Sequence, residues 1–136
     1  MKIWYQHGSE HSANLVMIGR FADAMEATRA KEIIDQLTRQ VSADHDEGTI
    51  VLGSPSERYS NEMLSLLGRL NIMSIGSLEL EQFLYDVRVE VEGSNLILTT
   101  DEIDISAFLK VMLDEGARIE VYSAHNYPDT EYGRGR

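Results

Sequence analysis

The chain of 136 residues is 43% apolar and 26% charged, with ten Gly and two Pro, proportions that suit one globular domain able to bury a core of its own. It has no Cys, which excludes disulfides, thiol nucleophiles and thiolate metal sites and is compatible with a reducing cytoplasm. Twelve Lys and Arg against 23 Asp and Glu leave a net charge of −11, the wrong sign for wrapping nucleic acid. The longest unbroken apolar run is Leu15 to Ile18, far below the roughly 20 residues of a membrane helix, so a cytoplasmic protein outside the membrane is expected.

In chain order, Ile3, Trp4 and Tyr5 predict a short N-terminal strand, and the polar stretch from His7 to Ala13 predicts a loop. Asn14 to Phe21 is apolar on both alternation faces, as a central strand covered from both sides requires. Asp23 followed by Glu26 is an acidic capping box that starts a helix over 24–41. Its buried stripe is Ala27, Ala30, Ile34, Leu37 and Val41, at steps of three and four. The punctuated stretch from Ser42 to Ser60 predicts a long connection, in which Asp44, His45, Asp46 and Glu47 form a solvated turn. Two more helices are expected at 60–70, through Met63, Leu66, Leu67 and Leu70, and at 77–85, through Leu80, Phe83 and Leu84.

Val87, Val89 and Val91 alternate with Arg88, Glu90 and Glu92 before Gly93 and Ser94 interrupt. A two-residue Gly-Ser loop predicts a type II′ hairpin, and counting outward sets Glu92 opposite Asn95, Val91 opposite Leu96 and Val89 opposite Leu98. The valines then meet the leucines on one face, and a slip of one residue would send them to solvent. Asp104 is placed to cap a helix carrying Ile105, Phe108, Leu109, Met112 and Leu113, with Gly116 as its left-handed terminator. Arg118 to Ser123 alternates as a closing strand, and 126–136 reads as a tail.

The resulting β-α-β-β-α-β order predicts an α+β fold, a ferredoxin-like sandwich with an antiparallel sheet. One domain spans 1–136, with a helical insertion of about 43–85 between the first helix and the central hairpin, and the short extra strand ahead of the first framework strand. The framework helices cover one sheet face. The other is expected to be covered by the insertion, or by a second copy of the chain in a homodimer.

The sequence lacks a Walker loop, a dinucleotide-binding glycine motif, a nucleophile elbow and an H-E-x-x-H helix. Two functional readings follow. In the first, eight carboxylates against one arginine between Glu79 and Asp104 form an acidic surface, with Asp86, Glu90, Glu92 and Glu102 as partner-binding residues. The protein then acts as a small binding or regulatory module that blocks a basic protein partner. Edge protection and solubility explain the same charges without a partner. In the second, the protein is a small dimeric enzyme. His7, Glu10 and His11 in the first loop meet His125 beyond the last strand, because that strand pairs with the first, and the cluster holds a divalent transition metal such as zinc or acts as general base. Histidines hydrogen-bonded in polar loops are the ordinary alternative. Trp4, Tyr5 and Tyr122 either line a pocket or serve as sheet aromatics.

Overall fold

The computed structural model describes residues 14–54 and 58–123. In chain order these form β1 (Leu15–Arg20), α1 (Ala24–Asp46), α2 (Asn61–Leu70), a 3₁₀ helix (Ser77–Leu84), β2 (Val87–Glu92), β3 (Asn95–Thr100), α3 (Ser106–Asp114) and β4 (Arg118–Ser123). The fold is α+β, and its four strands form one antiparallel sheet in the order β2-β3-β1-β4. The expected extra strand at Ile3 to Tyr5 and the tail at 126–136 lie outside the described residues.

The hairpin register agrees with the count from its loop: Glu92 faces Asn95, Val91 faces Leu96 and Val89 faces Leu98. Gly93 takes φ +61 at the first loop position, where a type II′ turn requires a residue without a Cβ. β1 is central, with Leu15 to Gly19 all buried, because β3 and β4 flank it and both its faces are covered.

Every helix contributes to one core on one side of the sheet. Met17, Leu96 and Leu98 from the strands meet Leu37 from α1, Met63 from α2, Leu80 from the 3₁₀ helix and Met112 from α3. The insertion therefore widens the helical layer instead of covering the opposite face. On that face Val16, Ile18 and Ile97 form a separate small cluster with Tyr122 against it. They are 5%, 1% and 7% exposed within a single chain, so a second copy is not needed to bury them.

Three expectations about the helices are corrected. First, α1 runs to Asp46 instead of ending near Val41, so the solvated turn at Asp44 to Glu47 does not form as expected. Asp44 continues the buried stripe three residues beyond Val41 and is itself 1% exposed. Its carboxylate accepts hydrogen bonds from Gln40 Nε2 at 3.0 Å and Ser60 Oγ at 2.9 Å, which is how a charged group is accommodated there. Second, Asp104 is exposed and does not cap α3; the capping position is Ile105, which has no side-chain cap. The cap comes from another element, since Gln82 Oε1 accepts from the Ala107 N–H at 2.7 Å. Third, α3 turns its stripe so that Ala107, Phe108, Val111 and Met112 are buried while Leu113 is 54% exposed. The segment at 77–84 is a 3₁₀ helix, a form whose tighter winding suits a short connector.

Candidate functional site: an acidic rim around Tyr85

Hairpin geometry brings the start of β2 and the end of β3 to one end of the sheet, where Val87 pairs with Thr100. Thr100 then ties the two flanking loops together. Its hydroxyl donates to the Asp86 carbonyl at 3.0 Å and accepts from the Glu102 N–H at 3.1 Å. Tyr85, directly before this junction, leaves the 3₁₀ helix in an extended conformation, its N–H donating to the Gln82 carbonyl. Burial pushes the Tyr85 phenol above its ordinary pKa, and the fields of Glu81, Asp104 and Glu102 add to the shift, because negative neighbours disfavour the phenolate. Asp86, Glu102 and Asp104 make no ion pair with any described residue.

Tyr85 also lines a cavity of about 260 Å³ together with Phe83, Val87, Val89, Thr38 and Asp35. A recess lined by aromatic and aliphatic side chains together with Asp35 and Thr38 is suited to a Lys or Arg side chain, whose stem packs on carbon while its head stays charged. The ring of Tyr85 offers a cation a favourable face as well.

The rim is held in place by a polar network between the 3₁₀ helix and α3. Glu79 Oε1 accepts from Lys110 Nζ at 2.7 Å and from the Gly76 N–H at 2.8 Å, while Oε2 accepts from Ser106 Oγ at 2.5 Å. Burial alone would raise the Glu79 carboxyl, but these hydrogen bonds and the Lys110 charge outweigh it and hold the group below its ordinary value. Lys110 also donates to the Ser74 carbonyl at 2.8 Å. Glu79 is thus a fastening between elements, and Glu81 accepts from the Gly53 N–H at 3.2 Å.

The acidic residues do not form one patch. Glu90 and Glu92 point with Arg88 to the sheet face opposite the helices, in cross-strand rows that contain Glu120, Arg20 and Arg118. Among the described residues of this face three arginines balance three glutamates, and Arg20 pairs with Glu120 at 2.9 Å. Asp86 and Glu102 meet at the Tyr85 end, whereas Glu92 lies at the hairpin tip, about 20 Å away at the rise of a strand. The single acidic surface expected from the sequence is therefore two surfaces, and Tyr85 marks the one at Asp86 and Glu102. The available signal was an aromatic residue between an apolar segment and a dense run of carboxylates.

His7, Glu10, His11 and His125, the candidate metal or base residues, lie outside the described residues, as do Trp4 and Tyr5. His45 is exposed in the last turn of α1, with Asp46 at 4.0 Å. Among the described residues, no group of three or more His, Asp or Glu side chains could hold a metal ion. Tyr122 is a sheet aromatic whose hydroxyl donates to Glu120 Oε1 at 2.6 Å. No helix among the described residues is long and apolar enough to cross a membrane.

These features define a small α+β domain with an acidic, aromatic-centred surface. The chain belongs to a family of unknown function, DUF6375, whose model matches residues 1–134. No curated protein and no solved structure matches the chain.

Proposed function

We propose that the protein is a cytoplasmic binding or regulatory module that engages a basic protein partner through the rim around Tyr85. The fold reading beneath this is a ferredoxin-like sandwich with α2 and the 3₁₀ helix inserted after α1; the β-α-β-β-α-β framework and the strand order β2-β3-β1-β4 support it. The observation that carries the functional reading is a half-buried tyrosine lining a small mixed cavity, with Glu81, Glu102 and Asp104 close enough to act on its phenol. Tyrosines of this kind anchor interfaces, and unpaired surface carboxylates steer a cationic partner toward them. Glu90 and Glu92, on the opposite sheet face, lie outside this contact.

The test replaces Tyr85 with a photo-crosslinking aromatic residue and irradiates the protein in lysate at low and high salt. Adducts with basic proteins that fade at high salt, and that are lost when Glu102 and Asp104 are changed to Lys, support the reading. Absence of adducts, or adducts insensitive to both salt and the charge reversal, removes it.

A further inference from the structure

A second recess lies away from the acidic rim, open to solvent between α1 and α2, and its charge has the opposite sign. It measures about 510 Å³, within the range of sites for small molecules. Gln36, Arg39 and Gln40 line it from α1, and Asn61, Ser65 and Arg69 from α2. These are steps of three and four, so each set lies on one face of its helix. Leu66 is the one apolar lining residue and Glu62 the one carboxylate.

Two arginines border this one groove. Carboxylates outnumber Lys and Arg by 23 to 12, and Arg20, Arg29, Lys31 and Lys110 each hold one, Glu120, Glu115, Asp35 and Glu79. Arg39 and Arg69, like Arg88 and Arg118, hold none among the described residues, and Arg39 and Arg69 border the same cavity. Guanidinium groups present fixed forks of donors that match the oxygens of a phosphate or carboxylate. Amide and hydroxyl side chains between them add neutral donors and acceptors for the rest of a hydrophilic ligand. Gln40 is fixed by its bond to Asp44, and Asp44 is joined to Ser60 ahead of α2, so the two walls are tied at one end before any ligand arrives.

We infer that the α1–α2 groove is a binding site for a small hydrophilic molecule bearing an oxyanion, phosphate or carboxylate, held between Arg39 and Arg69. This site uses elements other than the Tyr85 rim, and either can fail without the other.

The experiment follows the arginine Nε–H signals of the full chain by NMR during separate titrations with inorganic phosphate and with succinate. The expected result is saturable movement of the Arg39 and Arg69 signals, with Arg88 and Arg118 as unmoved controls. Arg39→Gln and Arg69→Gln should each weaken binding about tenfold, the loss of one charge-assisted contact, while Arg88→Gln leaves it unchanged. Tighter binding of phosphate identifies the ligand as phosphorylated, and tighter binding of succinate identifies it as a carboxylate; either supports the site. Uniform movement of all arginine signals, no movement with either probe, or unchanged affinity in both groove variants with native-like amide spectra overturns it.

Discussion

Asp44, near the end of α1, accepts a hydrogen bond from the hydroxyl of Ser60 at 2.9 Å, and Ser60 in turn accepts from the Met63 N–H at 2.9 Å as the N-cap of α2. One serine hydroxyl therefore caps a helix and satisfies a buried carboxylate. Asp44→Ala leaves Gln40 and Ser60 without their partner and is expected to cost about 1–3 kcal/mol. Ser60→Ala removes the cap and should cost about 1–2 kcal/mol. Because the two side chains share one bond, urea unfolding of the double variant should show a loss smaller than the sum, by at least about 0.5 kcal/mol.

Glu79 gives the stability a dependence on acid. Its folded-state pKa is held below the ordinary 4.5, so the folded form releases this proton more readily than the unfolded chain. The contribution is fully present above the unfolded value and is lost as pH falls through the folded one. Urea midpoints measured from pH 6 down to pH 3 should fall less steeply for Glu79→Gln than for the unaltered protein, and equal slopes would assign the acid sensitivity to other carboxylates.

Tyr85 works in the opposite sense at high pH. Its phenol pKa lies above the ordinary 10.0, so the unfolded chain ionises first and stability declines as pH climbs past that value. Replacing Glu102 with Gln and Asp104 with Asn should move the Tyr85 titration, followed through its ring carbon signals, back toward 10.0 without abolishing the part due to burial. A titration indifferent to both changes would mean that the rim does not act on the ring.

The hairpin register assigns inside and outside residue by residue. Leu98 is fully buried opposite Val89, and Leu98→Ala is expected to cost about 2–5 kcal/mol through lost burial and the cavity left behind. Arg88 lies on the other face, is exposed and makes no ion pair with a described residue, so Arg88→Ala should cost less than about 0.5 kcal/mol. Comparable losses in urea would reverse the two faces.

Gly19 tests the fit of α3 on the sheet. A Cβ at this position in β1 would lie 2.9 Å from Met112 Sδ, 3.3 Å from Phe21 Cε2 and 3.4 Å from Ala117 Cβ. Gly19→Val therefore overfills the contact and should cost about 1–3 kcal/mol, read as a lower thermal midpoint. The more modest Gly19→Ala should lose less, because the flexible Met112 side chain can move aside.

Local rules were sufficient wherever one segment carried the whole determinant. The Asp23 cap, the Gly93-Ser94 loop and the Val–Leu alternation each involve residues close in sequence, and the start of α1 and the hairpin register follow from them. Tertiary contacts decided the rest. Asp44 reads as a solvent residue until Ser60, sixteen positions away, supplies its partner, and α3 begins at Ser106 because Gln82, from a different element, answers the Ala107 N–H. The insertion is apolar on either reading, and only packing against α1 and α3 placed it in the helical layer. Charge behaved likewise: the sequence contained the acidic excess, but pairing across strands balanced it on the sheet face, and loop closure through Thr100 gathered it around Tyr85. Arg39 and Arg69, thirty residues apart, became neighbours of one cavity only when α2 folded back on α1, since sequence separation carries no information about which helix faces meet.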